Sequence, residues 1–398
     1  SSDVCSSDLT YTYSQSFAIA ICEGEIQGIR RIWANGKLLY NTADTAAIAS
    51  VVASNNSGIT FRVYTGSETQ TADSLIEADV GAANCPAYRG IAYIVFENLP
   101  LAEYGNRTPN LEFEVVSAGS YATPAGTRTD YAASTQPYGI AYDPVSNSIW
   151  VTNFGTNTVS KINAATGTKT DIVTAGTFPA GICFDPVTNS VWITNVNLNS
   201  VSKMNVVTNT FVSYAVGAGP RRCCFDPANN LVWVSNLGGN SVTALDVNDG
   251  SATTISVGTS PYGIAYDPIT ESIWTANIGD DTVSRINTHT SVRADVSVGD
   301  SPEDVVYDPI TQSIWVTNQG GPTVSQINPT TGVTLATYAT GSGCEGICFD
   351  PITESVWVAN INDDSVSKIS VATGTKTDFN VGNAPNQICF DASNNTVW

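Results

Sequence analysis

At 398 residues, with 42% hydrophobic and only 13% charged side chains, the chain has the composition of a folded protein long enough for two domains, not of a disordered one. It is acidic throughout: 13 carboxylates against 6 bases up to Ala118, and 23 against 10 after it. This balance argues against a nucleic acid or a strongly anionic membrane as partner, and no apolar run reaches the roughly 18 residues of a membrane-crossing helix.

Residues 1–9, SSDVCSSDL, are Ser-rich and aperiodic. They resemble a translated sequencing adapter, so residues 1–10 are set aside as an artefact or disordered. Residues 12–22 alternate as a strand, and residues 28–39 predict a hairpin turning at Asn35-Gly36, the residue pair that tolerates two positive φ values. Residues 60–64 predict a strand, 71–80 a short helix after a Thr/Asp start, and 88–96 and 111–116 two further strands. No basic stretch followed by an apolar one is visible at the start, so no signal peptide is expected in the given residues.

The runs YSQSFAIAICEGEIQGIRRIWANGKLL (13–39), YTGSETQTADSLIE (64–77), PAYRGIAYIVFENLPLAEYGNR (86–107) and TPNLEFEVV (108–116) occur in that order. Together they resemble a segment of phage tail hub proteins, a family that includes the tail-tip proteins of gene transfer agents and, more distantly, tip attachment proteins of siphophages. The resemblance covers residues 11–117. It implies a small α+β structural module, other tail-tip proteins as partners, a place at the virion tail tip, and no catalytic residues.

A connector, 118–125, leads to the most regular part of the chain. From residue 137 one pattern is written seven times, starting at Pro137, Pro179, Pro220, Pro261, Pro302, Cys344 and Pro385, a spacing of 41 or 42 residues. Each copy has an apolar run closed by Asp-Pro or Asp-Ala, then Trp150, Trp192, Trp233, Trp274, Trp315, Trp357 or Trp398, and most copies continue with a TVSKIN-like and a TGTKTD-like run. Four short strands per period of this length signal β-propeller blades. The expected fold class is mainly β: the small α+β module followed by a seven-bladed propeller over 126–398 whose last blade is incomplete. GTRTDYA (126–132) matches the fourth run of complete copies, so it is expected to be the outer strand of a composite seventh blade, the inner strands coming from 386–398 and the third strand missing. Trp398 falls within a copy, and the natural chain is expected to extend at both ends.

The repeat also resembles YVTN-type surface propellers and, more loosely, the lyases that open streptogramin antibiotics. Those lyases depend on a His base with Mg²⁺ and Glu nearby. The single His289 aligns to the connection between third and fourth strands, away from the channel, so no enzyme activity is expected. Nine cysteines match no zinc spacing; Cys183, Cys224, Cys348 and Cys389 share one small, apolar repeat position and predict packing residues with free thiols. The vicinal Cys223 and Cys224 and the lone Cys344 leave a disulfide or metal role open.

Positions that do not repeat are the candidate ligand face: Tyr138, Phe154, Arg221, Arg222, Tyr262, Glu303, Asp304, Glu345, Asn386 and Gln387. Asp280, Asp281, Asp363 and Asp364 are weak candidates for Ca²⁺, which wants six to eight oxygens; otherwise no cofactor is expected. Three readings follow. The first is a tail-tip structural protein whose propeller contacts a host receptor or glycan, without entering the membrane. The second is a bacterial surface or secreted propeller adhesin. The third is a propeller lyase, which the position of His289 disfavours.

Overall fold

The computed structural model describes residues 14–23, 28–41, 59–65, 67, 70–80, 91–101, 104, 107–116, 128–174 and 176–398. The chain divides into two compact units, Ser1–Thr123 and Pro124–Trp398. Residues 1–9 and the PAYRG motif at 86–90 lie outside the described residues.

The first unit has strands β1 (Ser14–Glu23), β2 (Gly28–Ala34), β3 (Lys37–Asn41), β4 (Thr60–Tyr64), β5 (Ile91–Pro100) and β6 (Leu111–Val116), with one short helix, α1 (Ser74–Val80). They form two three-stranded antiparallel sheets, ordered β1-β5-β4 and β3-β2-β6. Asn35 and Gly36 take φ of 48° and 79°, the paired positive values of the expected hairpin turn. Ile32, Leu39, Ile94, Phe96 and Leu99 form one core drawn from both sheets. The helix starts where Asp73 caps it, accepting the amides of Leu75 at 2.8 Å and Ile76 at 3.3 Å. Asp73 also accepts Arg62 Nε at 2.7 Å and the Tyr64 hydroxyl at 2.6 Å. Burial pushes the Asp73 carboxyl up, but these partners together hold it well below the usual carboxylate range.

In the second unit each complete copy of the repeat is one four-stranded antiparallel sheet. The first has β7 (Pro137–Asp143), β8 (Ser148–Asn153), β9 (Thr158–Asn163) and β10 (Lys169–Val173). Five more follow, with innermost strands Pro179–Asp185, Pro220–Asp226, Pro261–Asp267, Pro302–Asp308 and Cys344–Asp350. Successive innermost strands pack against one another, from the first sheet to the sixth and on to a last, short pair. This is a β-propeller.

Two devices recur in most of the sheets. The buried carboxylate of Asp185 accepts the amides of Val187 at 2.8 Å and Thr188 at 3.2 Å, closing the hairpin, and the Trp192 indole N–H at 3.2 Å. Asp143–Trp150, Asp267–Trp274 and Asp350–Trp357 repeat the pairing at 3.2 to 3.3 Å. The turn former is therefore also the indole's acceptor. The Trp192 ring is covered by Lys203 of the third strand at 5.5 Å and stacked by Tyr214 of the outer strand at 5.5 Å.

The second device joins neighbouring sheets. The Thr152 hydroxyl accepts the Gly139 amide at 2.7 Å and donates to Ala180 O of the next sheet at 2.6 Å. Thr194 does the same between Gly181 and Arg221, and Thr317 between Asp304 and Glu345. Each innermost strand also carries a register slip two residues in, between Pro137 and Ile140 and at the equivalent place in the other five. The sequence pattern did not reveal this bulge.

The last copy departs from expectation in detail. Its inner strands, expected over 386–398, shrink to Phe390–Asp391 and Thr396–Val397, and residues 128–134 form no regular strand. Among the described residues the last sheet is this two-stranded pair alone. Even so, Ala133, Cys389 and Trp398 pack on Ile149, Val151 and Ile162 of the first sheet. Tyr131 stacks on Trp398 at 4.7 Å, as Phe379 stacks on Trp357 at 5.4 Å.

Replacing Asp185 by Ala strips the hairpin amides and a buried indole N–H of their acceptor at once. The expected cost is roughly 1–3 kcal/mol, read as a lowered urea midpoint with an unchanged slope. A change within about 0.5 kcal/mol, the range of inert surface substitutions, would show that the Asp is dispensable.

Candidate functional site

The bulge decides which side chains reach the axis of the ring. At its second residue the next sheet comes so close that a Cβ on Gly139 would lie 2.2 Å from Ala180 O, and one on Gly181 2.3 Å from Arg221 O. Gly263 and Gly346 are crowded in the same way by Asp304 and Asn386. Three copies carry a side chain there, Arg222, Asp304 and Gln387, and all three line a central cavity of about 140 Å³. Ile140, Ile182, Cys223, Ile264 and Val305 complete the lining, and the surface left open to the cavity is mostly polar.

One residue earlier in each copy, a second ring of side chains forms the mouth. Tyr138 of the first sheet and Tyr262 of the fourth meet hydroxyl to hydroxyl. The Arg222 guanidinium lies 5.0 Å from the Tyr138 ring centre and 5.3 Å from that of Tyr262, and Arg221 lies 5.9 Å from Tyr262. Phe154 packs on Tyr138 at 5.7 Å. On the acidic side, Asn386 donates to Glu345, whose other oxygen accepts Gln319 Nε2 at 3.0 Å. Gln387 Nε2 donates to Asp304 Oδ2 at 2.8 Å.

The ten candidates are thus linked into one polar cluster or sit beside it, with Glu303 coupled to its neighbours by charge. Burial, reinforced by Glu345 and opposed by Arg222, raises the Glu303 carboxyl to about 8. Burial likewise raises Asp304 and Glu345, against the pull of Arg222. Burial works against the Arg222 charge, but Tyr262 and Asp304 hold it protonated.

The weak metal candidates have other work. Asp281 Oδ1 accepts the Ser301 amide at 2.8 Å and Asp364 Oδ1 the Ala384 amide at 2.8 Å, each fixing the loop into the next sheet. Asp280 and Asp363 accept the amides of Thr259 and Ser342. Asn199 and Asn240 hold the equivalent loops at 2.9 Å, so the pattern belongs to the repeat. Among the described residues no group of three or more His, Cys, Asp or Glu side chains is placed to hold a metal. The six described cysteines are free thiols; Cys344 donates to Asn318 O at 3.1 Å. His289 lies exposed in the turn after a third strand, 3.5 Å from Glu271 of an Asp-Pro hairpin, at the end of the sheets opposite the mouth.

No protein-family model and no curated protein matches the sequence. Solved structures do. A virginiamycin B lyase from Staphylococcus aureus has 17% identity and a TM-score of 0.58, over 65% of this chain and 89% of that one. A streptogramin B lyase has 18% and 0.57, over 66% and 90%. The hydrazine synthase of Kuenenia stuttgartiensis has 16% and 0.59, over 70% and 99%. The shared property is the β-propeller fold. At such identities the likeness extends no further, but lyases among the neighbours lend no support to the expectation that this chain is not an enzyme, and they leave that reading open. None of the neighbours bears on the tail-hub resemblance. The Staphylococcus lyase has also been solved with quinupristin as a His-to-Ala variant described as catalytically inactive.

The Glu303 shift has a definite sign. Its carboxyl moves from an ordinary 4.5 to about 8, so the folded state favours the protonated form. That contribution is complete below pH 4.5 and is lost as pH rises through 8. The melting temperature is expected to fall between these values, and Glu303→Gln to flatten the fall. An equally steep fall in the variant would remove Glu303 as its source.

Proposed function

We propose that this protein is a binding protein whose ring presents the mouth cluster to a partner at a cell surface. The observation that carries this reading is the gathering of nearly all non-repeating charged and aromatic inner-strand side chains at one end of the cavity, on a scaffold fixed by repeated bonds. Rigid scaffolds with variable loops suit recognition.

In this reading the ring has seven blades, the seventh shared between residues 128–133 and 386–398. The Tyr131–Trp398 stack supports it, as do Ser393 on Asn147 at 2.7 Å and Asn394 on Ala164 O at 3.4 Å. The first unit is the tail-hub module, resting on the ordered motifs of residues 13–116 alone. The whole would sit at a virion tail tip with other tail-tip proteins, and the mouth would meet a host receptor or glycan.

For the test, labelled full-length chain is bound to a panel of bacterial cells, and the double variant Arg221→Ala, Tyr262→Ala is compared. At least tenfold weaker binding is expected. Equal binding by a folded variant would exclude the mouth.

A second reading is favoured by Glu303, a buried carboxyl near 8 that could exchange protons at neutral pH. It makes the ring an enzyme, with a streptogramin-like cyclic ester as the first substrate to try. Quinupristin opening followed by mass spectrometry, and abolished by Glu303→Gln, would establish it in place of the binding reading. Intact quinupristin after prolonged incubation is expected if the ring only binds.

A further inference from the structure

The centre of the cavity holds a guanidinium with unfilled hydrogen-bonding capacity. Arg222 is only 6% exposed, and its Nε and Nη1 have no hydrogen-bond partner. Nη2 has a single 3.5 Å contact, to Asn386 Oδ1. The obvious counter-ion, Asp304, is committed elsewhere: Oδ2 accepts Gln387 and Oδ1 accepts the Val305 amide at 2.9 Å. The two tyrosine faces attract the guanidinium but accept none of its protons in plane. A buried guanidinium without in-plane acceptors is costly, and the group that removes the cost carries two oxygens side by side.

We propose that the cavity binds a small monocarboxylate, its two oxygens on Arg222. Two observations narrow the ligand. A volume near 140 Å³ is about that of a cavity that holds one benzene-sized molecule, so the ligand has few heavy atoms. The negative field of Glu303, Asp304 and Glu345 nearby admits one added charge more readily than two, which disfavours sulfate or phosphate. Tyr138 and Tyr262 meet hydroxyl to hydroxyl with the Arg222 guanidinium against both rings. The proposal rests on the binding reading above and assigns that site a ligand class.

Isothermal titration of the full chain with acetate, propionate and butyrate tests it, with propionamide and sulfate as controls. Propionate or butyrate is expected to bind at least tenfold more tightly than propionamide or sulfate. Arg222→Gln is expected to lose that preference, and so is Ile182→Phe, which keeps the Arg and fills the cavity. No heat with any carboxylate, equal binding of propionamide, preference for sulfate, or full binding by either folded variant would each overturn the proposal. The wild-type comparison decides even if a variant fails to fold. Should carboxylates fail while the mouth double variant still loses cell binding, only this inference falls; should both fail, the binding reading falls with it.

Discussion

Everything distinctive about the ring follows from how closely its innermost strands approach one another. Where a strand bulges toward the axis, the neighbouring backbone stands within van der Waals contact of its Cα, and a Cβ directed that way has no room. Four sheets meet this constraint with glycine, at Gly139, Gly181, Gly263 and Gly346. In the other copies the side chain goes into the cavity, and those residues are Arg222, Asp304 and Gln387. The site is therefore the complement of a packing rule. Threonine hydroxyls clamp the same region from behind, each taking an amide from its own sheet and giving a proton to the next, so the site's geometry is held from sheet to sheet.

Away from the axis, one carboxylate in each of four sheets joins local turn to tertiary packing. An Asp that satisfies two hairpin amides is a local matter; accepting the indole N–H seven residues on ties that hairpin to the largest side chain in the core. With Lys or Arg over one face and an outer-strand aromatic stacked on it, as for Trp192, the indole contacts three of the four strands of its sheet.

Much of this was legible because it repeats. Strand positions, the hairpin at Asn35-Gly36 and the free thiols of Cys183, Cys224, Cys348 and Cys389 all follow from local chemistry or from equivalence between copies. The face bearing Tyr138, Arg222 and Glu303 was found as the part that fails to repeat. Two things were not legible. The bulge was hidden because it changes pairing without changing the apolar pattern, so it gave no hint that Arg222 and Asp304 would be buried on the cavity. The acids of Asp280-Asp281 and Asp363-Asp364 looked like a ligand set because charge is visible in sequence and backbone partners are not. Asn199 and Asn240 at the equivalent position were the available sign that the carboxylates cap loops.

The Tyr131–Trp398 stack has a mechanical consequence. Between complete sheets the ring is sewn by backbone and hydroxyl bonds, whereas residues 128–134 and 386–398 meet, among the described residues, at a seam of one aromatic pair, a few side-chain bonds and an apolar patch. The segment bearing Tyr131 is also the one that continues covalently into the first unit. Tension applied through that connection is delivered to the seam before it reaches any four-stranded sheet.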